Sequence, residues 1–185
     1  DPLFTISYIG INGGLVLVSA DEPGQYSSQN EQDNRNYAKA AKIPMLEPAD
    51  SQEAKDMVKW AVELSEEYDT PVMLRMTTRV CHSKSIVELG ERETVEIKEY
   101  NKDVTKRMTV PAFSRRMRVK VEERMELLKL YSDTTPLNRF EWNDTSVGII
   151  ASGMAYNYAK EVFGDKVSYL KIGFSNPLPR KKITE

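Results

Sequence analysis

The sequence predicts an α/β fold: a mostly parallel sheet with flanking helices, followed by the start of a second α/β domain. Three observations predict it. From Gly13 to Met76, short apolar runs alternate with helical patterns across brief connections, in the order strand, helix, strand, helix, strand, which calls for parallel strands covered by helices. The first run, Gly13-Gly14-Leu15-Val16-Leu17-Val18-Ser19-Ala20, is apolar and β-branched, as a strand buried on both faces requires. A further strand, helix, strand pattern fills Val147 to Ile172.

In chain order, Asp1 to Gly10 reads as a helix, with Pro2 in its first turn, Leu3, Phe4, Ser7 and Tyr8 on one side, and Gly10 as its stop. The strand that follows ends at the turn residues Asp21-Glu22-Pro23-Gly24. A short helix over Glu31 to Lys42 is favoured by Ala38, Ala40 and Ala41 and ended by Ile43-Pro44, because a residue before proline avoids the α region. Pro44 to Leu46 makes a brief strand. Asp50-Ser51-Gln52-Glu53 then has the form of a capping box, and Ala54, Met57, Val58, Ala61, Leu64 and Tyr68 recur behind it at helical steps. Val72 to Met76 is the next strand, entered through Thr70-Pro71. From Ser83 to Pro111 the pattern degrades. Val87, Leu89, Val95 and Ile97 partly alternate with acidic residues, which allows a peripheral hairpin within a connector. Phe113, Met117, Val121, Met125 and Leu128 then lie on one slowly drifting stripe of a long helix. Its outer face carries Arg115, Arg116, Arg118, Lys120 and Arg124, interrupted by Glu122, Glu123 and Glu126, a pattern suited to a solvated face. Thr134 to Asp144 reads as turn and linker, and the last unit ends at the strand Val167 to Ile172.

In an open α/β sheet, ligands bind beyond the carboxyl ends of the strands. Two polar segments occupy such positions. One is the loop after the first strand, rich in groups that both donate and accept hydrogen bonds, with Ser28, Gln29, Asn30 and Arg35 as its candidate site residues. The other follows the strand 72–76 and offers Thr78, Arg79 and His82. In a parallel sheet both fall on one edge. Arg79 has two readings: a bidentate clamp for a carboxylate, or a structural bridge to Asp33. Cys81 and His82 are neighbours, and in an extended segment they point to opposite faces and form no nucleophile pair. Ser152-Gly153, at a strand–helix junction, has an anion-binding form, yet Gly148 and Gly153 do not make a G-x-G-x-x-G motif.

The segment Gly13 to Arg35, taken with Ala41-Lys42-Ile43-Pro44-Met45-Leu46-Glu47-Pro48 and Thr77-Thr78-Arg79-Val80-Cys81-His82-Ser83-Lys84, resembles the large (alpha) subunits of indolepyruvate:ferredoxin oxidoreductases. These are members of the thiamine-diphosphate-dependent 2-oxoacid:ferredoxin oxidoreductase family. The resemblance covers Asp1 to Gly90 and resumes over Val147 to Pro179. It implies that residues 1–85 are the latter part of a pyrimidine-binding domain, 86–145 a connector with a long helix, and 146–185 the beginning of a transketolase C-terminal-like domain, truncated. It also implies an enzyme that decarboxylates an arylpyruvate such as indolepyruvate on thiamine diphosphate, with Mg2+ holding the diphosphate. Electrons then pass singly through 4Fe-4S clusters to ferredoxin, and coenzyme A takes the acyl group. The partners it implies are the remainder of the same subunit and a smaller beta subunit. The cofactor carries the chemistry and the protein supplies orientation.

Several parts that such an enzyme needs are missing from the sequence. The glutamate expected to activate the cofactor would precede Asp1, and Gly164-Asp165-Lys166 lacks the Gly-Asp-Gly and later Asn of a Mg2+ and diphosphate signature. One cysteine cannot hold a cluster or a disulfide framework. The chain opens without Met and its last unit stops after one strand, helix, strand pattern, so it reads as an excised piece, inactive and unable to bind thiamine diphosphate tightly by itself. Exposed edges of such a piece are expected to drive dimerisation. A formal net charge of −2 gives no electrostatic case for nucleic acid, and no apolar run reaches membrane-spanning length or forms a secretory signal, which fits a cytoplasmic setting. Two other readings stay open: a self-contained, non-catalytic α/β interaction module, and part of another thiamine-diphosphate decarboxylase.

Overall fold

The computed structural model describes all residues from Asp1 to Glu185. Helix α1 (Pro2–Ile9) leads to strand β1 (Val16–Asp21), helix α2 (Arg35–Ala41) and strand β2 (Met45–Leu46). Helix α3 (Ser51–Glu67) and strand β3 (Val72–Thr77) complete the alternation. β1 and β2 each pair in parallel with β3, so the expected parallel sheet is present. The cap of α3 is half as expected. Asp50 Oδ1 accepts from the Glu53 backbone N–H at 2.8 Å, but Glu53 Oε2 reaches the N–H of Ala49 at 2.9 Å, one residue before the position a capping box uses. Met57, Ala61 and Leu64 of α3 pack on Leu46, Val72 and Leu74 to form the principal core.

Three expectations for residues 13–111 are corrected. β1 is not buried on both faces: it is the edge of its sheet, and Leu17 and Val18 are 39% and 60% exposed. Apolar, β-branched composition suits central and edge strands alike, and only pairing distinguishes them. The segment after β3 is not extended. It forms a short helix, α4 (Thr78–His82), anchored by buried Val80. Successive residues on a helix point about 100° apart, so Cys81 and His82 still do not face each other. Residues 83–103 contain neither strand nor hairpin. This segment lies along the polar side of α3, where Lys55 Nζ donates to the Glu88 carbonyl at 2.6 Å and the Glu88 N–H donates to Gln52 Oε1 at 2.7 Å. Leu89, Val95 and Ile97 remain exposed, with no strand beside them to pair against.

After a single turn, α5 (Val104–Arg107), the long helix α6 (Pro111–Thr134) runs back across the molecule with Met117, Val121 and Leu128 buried, along the expected stripe. Leu128 enters the principal core beside Phe174. The stretch read as turn and linker contains a strand, β4 (Asn138–Glu141). Next come β5 (Gly148–Ser152), α7 (Gly153–Phe163) and β6 (Ser168–Ile172). In this second sheet, of order β4-β6-β5, β5 is parallel to β6 and β4 antiparallel to it. The chain does not stop at that unit. It turns at Gly173 into β7 (Phe174–Asn176), which joins the first sheet antiparallel to β2, and ends in α8 (Arg180–Thr184). Buried Asn138 fixes this turn. Its amide donates to the Ser132 and Phe174 carbonyls at 2.9 and 3.0 Å and accepts from the Gly173 and Phe174 N–H groups at 3.0 and 2.9 Å.

Candidate functional site

Because β1 and β3 run in parallel with Asp21 opposite Thr77, the loop after β1 and helix α4 after β3 open on the same rim. They enclose a cavity of about 560 Å3 whose wall includes Glu22, Tyr26, Ser28, Thr78, Arg79 and His82. Four of the candidate residues, Ser28, Thr78, Arg79 and His82, are thus brought together. The Arg79 guanidinium lies 5.0 Å from the centre of the Tyr26 ring, within cation–π range. It has no carboxylate partner, because Asp33 is held by Arg35, whose Nε and Nη2 both donate at 2.7 Å. The bridge from Arg79 to Asp33 is therefore not formed.

Gln29, Asn30 and Arg35 do not line this cavity. Their segment satisfies itself: the Gln29 carbonyl accepts from the Gln25 amide at 3.3 Å, and the Asn30 carbonyl accepts from the Ser28 hydroxyl at 2.7 Å. Short polar side chains next to free backbone groups tend to bond locally in this way. Arg35 instead borders a second cavity beyond α2. At the rim, the Ser28 hydroxyl and the N–H groups of residues 26–28 hold the Glu22 carboxyl below the usual range, so the cavity carries an anion as well as a cation. The same direction applies to Asp33, which accepts hydrogen bonds from the Arg35 guanidinium, and those hydrogen bonds in turn raise Arg35.

Beneath the rim lies a buried charge network that the sequence reading missed. Arg75 of β3, 5% exposed, donates from Nε to Asp21 Oδ2 at 2.5 Å and places Nη1 3.3 Å from Glu47 Oε2. Asp21 also accepts from the Glu22 and Asn34 N–H groups at 3.0 and 3.1 Å, which ties both ends of the rim loop to one carboxylate. Glu47 accepts from the Ser152 hydroxyl at 2.9 Å and the Ser175 hydroxyl at 3.0 Å, carrying the network to the second sheet and β7. A signal for it existed. Arg75 interrupts Val72-Met73-Leu74-Arg75-Met76 and Glu47 interrupts Met45-Leu46-Glu47-Pro48-Ala49, and a charge inside a buried run demands a partner.

Residues 17–131, from β1 into α6, match the family model described as "Pyruvate flavodoxin/ferredoxin oxidoreductase, thiamine diP-bdg". The chain belongs to the pyruvate flavodoxin/ferredoxin oxidoreductase family. The span that places it there includes both walls of the rim cavity. Among relatives in this oxidoreductase family, "Indolepyruvate oxidoreductase subunit IorA" of Methanothermobacter marburgensis is 44% identical over 191 residues, covering 100% of this chain and 31% of that protein. The protein of the same name from Pyrococcus horikoshii is 46% identical, covering 97% of this chain and 29% of that protein. The chain therefore spans about a third of the length of these relatives. A solved structure, "2-oxoglutarate:ferredoxin oxidoreductase from Magnetococcus marinus with 2-oxoglutarate, coenzyme A and succinyl-CoA bound", superposes with a TM-score of 0.60 at 16% identity, over 98% of this chain and 40% of that one. That likeness is one of fold. Thiamine diphosphate is the ligand named for the oxidoreductase family domain matched here. The one cysteine, Cys81, cannot hold a 4Fe-4S cluster, and no group of three or more His, Cys, Asp and Glu side chains is placed together. No helix is long and apolar enough to cross a membrane.

Proposed function

We propose that this chain is part of the large subunit of a thiamine-diphosphate-dependent indolepyruvate:ferredoxin oxidoreductase, and that its rim cavity receives the carboxylate end of the arylpyruvate. The observation that carries the assignment is Arg79: a guanidinium held over the Tyr26 ring beyond the carboxyl end of a parallel strand, lining a cavity and without a carboxylate partner. Such a group can meet a carboxylate through two parallel charge-assisted hydrogen bonds. The Glu22 carboxylate on the same wall disfavours an anion placed on the wrong side of the cavity.

Thiamine diphosphate, when bound, supplies the carbanion that decarboxylation of a 2-oxo acid requires. The role proposed for these residues is to hold the substrate's carboxylate while the reaction proceeds elsewhere. Mg2+, the 4Fe-4S clusters, the acceptance of the acyl group by coenzyme A and the docking of ferredoxin belong in this reading to the remainder of the subunit and to a beta subunit, in a cytoplasmic enzyme. By itself the chain neither turns over nor binds thiamine diphosphate tightly.

Steady-state kinetics of the intact enzyme test the assignment. Arg79→Ala is expected to lower kcat/KM for indolepyruvate by about 100-fold, mostly through KM, because a charge-assisted bidentate contact is worth roughly 2–3 kcal/mol. Arg79→Lys should recover part of the loss, since it keeps the charge but not the fork. Unchanged kcat/KM in Arg79→Ala would remove Arg79 from substrate binding.

A further inference from the structure

We propose, on the reading that Arg79 meets the substrate's carboxylate, that Asp21 is a positioning residue of the rim cavity: it holds both ends of the loop 22–34 and the start of α4, and so keeps Tyr26 beneath Arg79.

No helix or strand forms between Asp21 and Arg35, so the loop 22–34 keeps its shape only through the bonds it makes. Asp21 is the last residue of β1, and its side chain is fully buried. Its Oδ1 accepts from the Glu22 N–H at 3.0 Å and its Oδ2 from the Asn34 N–H at 3.1 Å, so one carboxylate grips the first and last residues of the loop. Arg75 Nε also donates to Oδ2, at 2.5 Å, and fixes the direction of the carboxylate from β3. The main-chain carbonyl of Asp21 accepts from the Thr78 hydroxyl at 3.4 Å, which ties the start of α4 to the same residue. Every partner of the two carboxylate oxygens is a donor. An asparagine here has to turn its own N–H2 group toward Glu22, or toward Asn34 and Arg75, so only a carboxylate satisfies the whole set.

The hold passes along the loop to the cavity. Glu22, tethered to Asp21 by its N–H, accepts through Oε1 from the Ser27 N–H at 2.5 Å, next to Tyr26. Tyr26 is 57% exposed, so packing does little to place its ring and the bonds of the loop decide where it lies. Arg79 is carried instead by α4, which buried Val80 anchors. The 5.0 Å contact between guanidinium and ring therefore has two supports, and Asp21 bears on both: on the loop through Glu22 and Asn34, on α4 through Thr78. Displacing a group that orients substrate by about 1 Å can cost about 100-fold in rate.

Steady-state kinetics and amide hydrogen exchange of the intact enzyme test the role. Asn34→Pro removes the N–H that Asp21 accepts and leaves the pair with Arg75 in place; the φ of Asn34, −74°, is one that proline adopts. This variant is expected to raise KM for indolepyruvate about tenfold, as for one lost hydrogen bond to a charged group, with kcat within about twofold of the parent. Asn34→Ala keeps the N–H and loses only the side-chain bond to Ser19 Oγ at 2.7 Å, and should raise KM by no more than about threefold. Asp21→Asn should act like Asn34→Pro, with lower stability besides. In an Arg79→Ala background the effect of Asn34→Pro should shrink to less than about twofold, because the guanidinium being positioned is gone. Exchange should quicken about tenfold across residues 22–34 in Asn34→Pro and stay at the parent rate in α3. Unchanged KM or unchanged loop exchange in Asn34→Pro would overturn the role of Asp21, and so would an equal rise in Asn34→Ala, which would assign the hold to Ser19. An undiminished rise in the Arg79→Ala background would overturn its action through Arg79. Parent kcat/KM in Arg79→Ala alone overturns the carboxylate reading and this role with it, whereas a silent Asn34→Pro beside a damaged Arg79→Ala overturns this role only.

Discussion

Arg75 stands between two buried carboxylates, Asp21 and Glu47, which are 2% and 4% exposed. Removing the cation leaves both anions uncompensated, and breaking a buried ion pair in this way typically costs about 3–5 kcal/mol. Arg75→Met is therefore expected to lower the urea midpoint sharply. The triple variant Arg75→Met, Asp21→Asn, Glu47→Gln should recover much of the loss, because it removes the charges together. A midpoint unchanged in the single variant would show that water already reaches the network. At this scale the sequence was partly legible. Thr78 and Arg79 stood out because polar residues at a strand end are conspicuous, whereas Gln29 and Asn30 stood out equally and turn away to satisfy their own loop. Which polar side chain faces a cavity depends on local hydrogen bonds that composition does not encode.

At the scale of elements, α3 was legible because it repeats its helical period over many residues and β3 because its apolar run follows the break at Thr70-Pro71, while β4 and β7 are too short to show either signal. β4 is held by side chains more than by its length. Burial raises the pKa of Glu141, but hydrogen bonds from Tyr156 Oη at 2.6 Å and Lys160 Nζ at 3.0 Å more than offset it, so this carboxyl titrates below its ordinary range. A carboxyl whose folded pKa is depressed contributes stability above its unfolded pKa of about 4.3, and that contribution is lost as pH falls through the lower folded value. The urea midpoint should therefore decline between about pH 5 and pH 3, and decline less in Glu141→Gln, whose side chain no longer titrates. Parallel pH profiles for the two proteins would argue that Glu141 has no part in joining β4 to α7.

At the scale of the whole molecule, β1 presents an unpaired backbone edge flanked by exposed Leu17 and Val18. A long, apolar edge strand is a template for pairing with another chain. The 185-residue chain by itself is expected to self-associate through this edge, and Val18→Lys to shift it toward monomer in sedimentation equilibrium at micromolar concentration. Association unaffected by Val18→Lys would place the contact elsewhere, for instance at the exposed Trp142 or Val162.

The sequence by itself determined the alternation of strands and helices from β1 to β3, the Asp50 N-cap of α3, the buried stripe of α6 and, through the residues from Gly13 to Lys84, the family. These follow from local periodicity and from residue types that need few neighbours to act. Tertiary structure alone decided that β1 is an edge, that β7 returns to the first sheet, and that Arg75 joins the rim to the second sheet through Glu47 and Ser152. Those outcomes rest on contacts between residues far apart in the chain, where the free energy belongs to a pair, and a buried charge signals that it needs a partner without identifying which residue that is.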